Sequence, residues 1–329
     1  MGKGLGRVQC SGPGTGSSSD TGPDASSPGE EAGYAGDDAL PDSLEDAVRA
    51  AAVATGVARG KGVTAAMVEL LVPELELLAD EGDQERFWRV VRGLGAELGF
   101  QMGADRVKVV CSDAGSAALL KSKWTESDLE VASLTDRMPV DGGEDVVLVA
   151  RPDHTTLEEC EKLVAKAEAF NAAKVEEWEA GGGRGEGQAE EEPRGTMVVL
   201  FNPKLVSGDV GIGLGNRIMQ KRFMPKFTHT YYLSPMGGGA VSVFRKYPGL
   251  WQVWRERADM EGRYDLLFEQ ASRPAGDDLF YRLDEADRRD ELVARGEDPD
   301  APENAEPSFM DDLARTLKTN LRFLNSIQK

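Results

Sequence analysis

The chain has 329 residues, with 38 Lys and Arg against 58 Asp and Glu, for a formal net charge of −20. That length holds one large domain or two small ones with a sizeable core. The acidic balance argues against nucleic acid as a partner, since phosphate binding needs Lys and Arg clustered on one face, and no apolar run reaches the length of a membrane-spanning helix.

Residues 1–38 are rich in Gly, Ser and Pro and read as a disordered tail or the remnant of a transit peptide, with Lys3 and Arg7 and no acid before Asp20. An α/β domain is expected over 39–283. Asp42 or Ser43 caps a first helix, with Leu44, Val48 and Ala51 on one face and Gly56 and Gly60 at its close. Val63 to Pro73 is an apolar run of strand length. Phe87, Val90, Val91, Leu94 and Leu98 then recur at helical spacing, and Val107 to Asp113 is a strand followed by a short helix.

The clearest buried strand is DVVLVARP from Asp145, with Thr155 and Thr156 capping the helix after it; Leu157, Cys160, Val164 and Ala167 line that helix's inner face. An acidic Gly-rich surface insertion is expected over 176–195, before MVVLFNPKL (Met197 to Leu205), a fully apolar strand stopped by Asn-Pro. Strands without alternation, each followed by an amphipathic helix, predict a doubly wound, Rossmann-like α/β fold: a mostly parallel sheet with helices on both faces.

After a helix at about Gly215 to Pro225 the pattern changes. FTHTYYLSP, GGAVSVFRKYP and LWQVWRER alternate apolar and polar residues, predicting an antiparallel meander that extends the sheet. GRYDLLFEQASRP reads as containing a helical segment, and 284–307 as an acidic linker. The last element, 308–329, is a C-terminal amphipathic helix with Phe309, Leu313, Leu317, Leu321 and Leu324 as its stripe and Arg315, Lys318, Arg322 and Lys329 as basic flanks. Two roles stay open for it, packing on the domain or docking to a partner or a membrane surface.

Few residues suggest chemistry. The three cysteines, Cys10, Cys111 and Cys160, form no CxxC pair, and the two histidines, His154 and His229, have no second ligand near them in sequence, so no disulfide framework, metal or cofactor is expected. No catalytic residues are assigned. Gly211, Gly213 and Gly215 precede Asn216 and Arg217 at a helix start, where backbone N–H groups can approach a phosphate. The spacing is not GxGxxG and lacks the Lys-Ser/Thr of a P-loop, which favours a structural turn. Asp113 ends a strand at the ligand-binding edge of such sheets, but with Ser112 it also suits a helix cap. Cys111 reads as a buried, inert strand cysteine. Tyr231, Tyr232, Phe244, Tyr247, Trp251 and Trp254 concentrate the meander's aromatics, as a partner surface or as core; Lys221, Arg222, Lys226, Arg245 and Lys246 add a basic character.

Leu40-Pro41 with SLEDA, DVVLVARP, Asn202-Pro203-Lys204-Leu205, GIGLGNRIMQKRFMPKF, Tyr231-Tyr232-Leu233-Ser234-Pro235, YPGLWQVW from Tyr247 and a closing FLNSI occur in order. Together they resemble a cyanobacterial and plastid family named only as a domain of unknown function. Its members include the low-photosystem-II-accumulation type of assembly factor, and the domain also occurs fused to a plastid adenylate kinase. The resemblance implies a chloroplast protein of the stroma or thylakoid surface, aiding photosystem II assembly through contact with core subunits and peripheral membrane contact. It brings no catalytic residues. The expectation is a non-enzymatic assembly or scaffold factor using the meander and terminal helix; the alternative is a nucleotide- or phosphate-binding domain with a regulatory or enzymatic role, using the glycine loop.

Overall fold

A computed structural model describes residues 40–76, 78–180, 194–205, 221–257, 260–274 and 276–301, all within the compact unit that begins at Gly36. Helix α1 (Leu44–Arg59) starts at Ser43, whose Oγ accepts the Asp46 N–H at 3.1 Å and donates to the Asp46 carboxylate at 2.7 Å. Strand β1 (Ala65–Leu70) follows, then a short turn of helix, α2 (Pro73–Glu76), and α3 (Glu81–Met102). Asp80 caps α3, and Gly103 ends it in the left-handed region at φ 56, where an L side chain is disfavoured.

Next come β2 (Val107–Cys111), α4 (Ala114–Lys123), β3 (Glu130–Ser133), β4 (Val146–Ala150), α5 (Leu157–Ala180) and β5 (Met197–Phe201). Beyond residue 220 lie β6 (Thr228–Met236), β7 (Val241–Lys246), β8 (Trp251–Arg257), β9 (Met260–Gln270) and α6 (Gly276–Ala294). The nine strands form one sheet in the order β3-β2-β4-β5-β1-β6-β7-β8-β9. Pairing is parallel from β3 to β6 and antiparallel from β6 to β9. The predicted doubly wound α/β sheet with an antiparallel extension is therefore what the chain forms.

Helices cover both faces, which is why the central strands carry no polar alternation. One core joins α1, α3 and α4 to the side chains of Val68, Leu70, Val109, Leu148, Val199 and Phe201. On the opposite face α5 covers Met67, Val110, Val147, Val149 and Leu200. Each fully buried Val or Leu contributes about 1.5–3 kcal/mol relative to exposure. A third cluster, Tyr232, Val243, Trp251, Val253 and Leu279, places α6 over the meander on that second face.

Three expectations change. GRYDLLFEQASRP is not helical: Gly262 to Gln270 lies in β9, where Tyr264 and Leu266 pack towards the first core while Leu267 and Phe268 pack under α6. A register shift between Val253 and Trp254 accommodates the change of side. The acidic stretch from Asp284, read as a linker, is helical as far as Ala294. Its acids are held by arginines: Asp287 and Asp290 both receive Arg255 of β8, and Glu291 pairs with Arg295 one turn on. The expected insertion begins as helix, since α5 runs to Ala180; residues 181–193 and the predicted helix 308–329 lie outside the described residues. Edge strand β3 is an addition to the predicted set.

Candidate functional site

Open α/β sheets hold ligands at the carboxyl ends of their strands. Here the described side chains at that edge are engaged with one another. Asp113 is the N-cap of α4, accepting the Ser116 N–H at 2.8 Å and the Ser116 hydroxyl at 2.7 Å, which hold its carboxyl below the usual range. Ser112 donates to the Arg151 carbonyl at 3.0 Å. Arg151 carries its guanidinium to the Glu76 carbonyl at 3.0 Å, and Lys204 meets the Glu76 carboxylate at 3.0 Å. Asn202, buried and at φ 45, joins β5 to β1: its amide accepts from Leu70 N–H at 2.6 Å and donates to Leu70 C=O at 2.8 Å. Gly211, Gly213, Gly215, Asn216 and Arg217 lie outside the described residues, as do Phe309, Leu313, Leu317 and Arg322.

The meander aromatics are placed differently from a partner surface. Tyr231 and Trp254 are fully buried in the first core, Tyr232 and Trp251 are buried under α6, and Tyr247 is half-buried. The reason is that the meander is sandwiched: α1 approaches one face and α6 the other, so alternation along β6, β7 and β8 points aromatics into core on both sides. The basic residues are partly spoken for, with Lys226 on Glu168 at 3.1 Å and Arg222 near Glu161 at 3.7 Å.

A polar cluster lies on the face shared by Met67 and Trp251. Cross-strand register lines up Glu69 of β1, Tyr232 of β6, Arg245 of β7 and Trp251 of β8 side by side. Glu69 is 3% exposed, a charged residue in an otherwise apolar strand. His229 joins it because Met67 faces His229 and Val68 faces Tyr231, leaving Thr230 as an extra residue. That bulge puts His229 and Tyr232, three apart in sequence, on one face. His229 Nε2 lies 3.0 Å from Glu69 Oε2, and its ring centroid is 5.3 Å from that of Trp251. Thr230 turns to the other face, where its hydroxyl bonds Thr55 of α1 at 2.8 Å.

Arg273, just beyond β9, closes over the row. Its Nη2 donates to the Tyr232 hydroxyl at 2.6 Å, its Nη1 is 3.8 Å from Glu69, and its guanidinium sits 4.4 Å from the Tyr232 ring centroid. Arg245 stacks on Trp251 at 5.2 Å. Burial raises the Tyr232 phenol and lowers Arg245 from its ordinary value. Such guanidinium–aromatic contacts are worth about 0.5–2 kcal/mol each and fix the plane of the fork.

A second cluster lies at the opposite end of the sheet. Glu130, Asp141 and Glu144 bring three carboxylates together, within reach of a metal ion. Lys108 already fills that role: its Nζ is 3.1 Å from Glu130, 3.6 Å from Asp141 and in short contact with Glu144. Arg106 adds contacts to Glu130 at 2.8 Å and Asp141 at 3.1 Å. Burial works to raise Glu144, but Lys108 and the Asp141 N–H outweigh it and hold its carboxyl below the usual range. Near this end a cleft of about 600 Å³ opens between α1, α3 and α5. Arg59 in its wall bonds the Asp145 and Gly195 carbonyls, a helix-end cation satisfied by main chain.

Both described cysteines are buried, and burial pushes their thiols up to about 12. The family model Domain of unknown function (DUF1995) matches residues 41–280. The chain belongs to that family. Comparison with curated proteins and with solved structures finds no match. The matched span of the family takes in the whole Glu69–Arg273 cluster.

Of this cluster the sequence singled out Tyr232 and Trp251, as partner surface or as core, and Arg245 as part of a basic region, and left His229 without a partner. A lone Glu within the apolar run of β1 was the available signal for Glu69. Nothing local could have paired it with residues some 160 and 200 positions away, as the separations Glu69–His229 and Glu69–Arg273 require.

Proposed function

We propose that this protein is a non-enzymatic assembly or scaffold factor of the chloroplast, assisting photosystem II assembly at the thylakoid surface, with unassembled core subunits as its clients. The observation that carries the non-enzymatic part is the mutual engagement of its acid–base groups: Glu69 with His229 and Arg273, Glu144 with Lys108, Asp113 with a helix N-terminus. A general base or nucleophile needs a lone pair free to meet a substrate. These groups are instead tied to partners in the fold, and Cys111 and Cys160 are buried thiols.

The photosystem role is supported by the ordered motifs that resemble the low-photosystem-II-accumulation type of factor. With the meander aromatics buried, client contact falls to exposed apolar side chains beside them, Phe280 of α6 at 66% exposure and Met260 at the β8–β9 turn at 50%. The test is capture of the tagged full chain from gently solubilised photosynthetic membranes, with mass spectrometry of co-purifying proteins. Enrichment of unassembled photosystem II core subunits, reduced by Phe280→Asp, is the expected result. Recovery of the chain alone would overturn the assembly reading.

A further inference from the structure

The row across β1, β6, β7 and β8 contains a cation that no carboxylate among the described residues neutralises. Arg245 is half-buried between Tyr232 and Trp251, its neighbours across the ladder. Its Nε is shut off from solvent and has no hydrogen-bond partner among the described residues, and no carboxylate there pairs with its guanidinium. The acid of the cluster, Glu69, is already matched by His229 at 3.0 Å and Arg273 at 3.8 Å. Arg273 in turn is committed to the Tyr232 hydroxyl at 2.6 Å.

A guanidinium cannot shed its charge at physiological pH, so a partly desolvated one without an anion carries a standing cost. In a chain of net charge −20 a carboxylate partner would be easy to supply. The surroundings do the opposite. Trp251 presents its ring to Arg245, Tyr232 presents its ring to Arg273, Gln270 stands across from Trp251 in the ladder, and Arg273 places a second guanidinium 5.9 Å from the same indole. Its place over the Trp251 ring, 5.2 Å from the centroid, restrains the Arg245 fork, and restraint of that kind favours two-pronged recognition of an oxyanion.

We propose that Arg245, on the Trp251 platform and beside Arg273, binds the oxyanion group of a small ligand, a phosphate or a carboxylate. Arg245 supplies the paired N–H donors. Arg273 neutralises Glu69 so that the buried carboxylate does not repel the ligand. The buried Trp251 and Tyr232 rings back the two guanidinium groups and hold them in place. The site lies on the face of the meander that α6 packs over.

The test uses the full chain with inorganic phosphate, pyrophosphate and succinate as probes, each at constant ionic strength balanced with potassium chloride. Calorimetry and tryptophan emission are read up to about 10 mM, where a single-site millimolar binder is near saturation. Saturable binding of at least one probe is expected. Arg245→Gln should weaken it by about tenfold or more, the loss of a charged hydrogen-bonded pair, and Arg245→Lys should recover only part because it lacks the fork. Phosphate or pyrophosphate without succinate identifies a phosphate ligand, and succinate without them a carboxylate. No saturable binding by any probe, or unchanged affinity in Arg245→Gln, would overturn the proposal. If Arg245→Gln does not fold, Arg245→Lys decides by the same criterion: affinity equal to that of the parent overturns it. A negative outcome here leaves the client-capture test unaffected.

Discussion

Asn202 gives the sharpest quantitative test of how the sheet is held. Strand β5 pairs with β1 as far as Val68 and Phe201, and the Asn202 N–H still reaches the Val68 carbonyl at 2.9 Å. Beyond that the main chain turns away, at φ 45, and the side-chain amide takes over the next rung by bonding both the N–H and the C=O of Leu70. Asn202→Ala removes both bonds at a site 2% exposed. Two buried main-chain groups left unsatisfied cost about 1–3 kcal/mol each, and Ala in the left-handed region adds about 1 kcal/mol. A loss of about 3–7 kcal/mol follows, a large share of the roughly 5–15 kcal/mol that stabilises a typical domain. Asn202→Gly loses the same bonds without the backbone penalty, so it should lie about 1 kcal/mol above the Ala variant. Urea unfolding followed by far-ultraviolet circular dichroism measures both, alongside a fall in Tm of about 6–28 °C for Ala. A loss below about 1 kcal/mol for Asn202→Ala would refute the idea that this amide completes the ladder.

The ion cluster around Lys108 makes the fold sensitive to acid. Asp141, Glu130 and Glu144 are held below the ordinary carboxylate range by Arg106, Lys108 and local N–H donors. Their stabilisation is present above the unfolded value of about 4 and is lost as pH falls through the depressed folded values. Denaturation midpoints should therefore drop below about pH 4, and Lys108→Met, by stranding the buried Glu144, should cost about 3–5 kcal/mol at neutral pH and flatten that slope; parallel slopes in the two proteins would contradict it. A Cys10→Ser chain should show no fast reaction with a thiol reagent until denatured, since Cys111 and Cys160 are buried. Gly142 stands at φ 88, where an added Cβ would lie 2.7 Å from the Phe170 ring, so Gly142→Ala should destabilise by about 1–3 kcal/mol in the same unfolding assay. Thr55→Val should cost about 1 kcal/mol through the hydroxyl pair with Thr230, and Thr230→Val should not add fully to it in the double variant.

Local pattern in the sequence determined most of the architecture. Uninterrupted apolar runs at Val146–Ala150 and Met197–Phe201, and the run Val107–Cys111 broken only by Lys108, require cover on both faces, and the amphipathic stripes between them supply it. Of the caps read from the sequence, Ser43 and Asp113 are caps in the structure, and Asp80, which was not singled out, caps α3. Periodicity misread β9 because Leu266, Leu267 and Phe268 are consecutive apolar residues, and only pairing with bulged β8 distributes them over two faces. It also misread Asp284 to Ala294, where composition suggested a linker but Arg255 of β8 supplies counter-charges from outside the helix. The candidate site was least legible, because a bulge at Thr230, a register joining Glu69 to Tyr232, and the reach of Arg273 across the meander set it. Side-chain period and capping chemistry are encoded within a few residues and survive in the sequence alone. Which charge meets which ring depends on strand order and register, and those exist only once the sheet has closed.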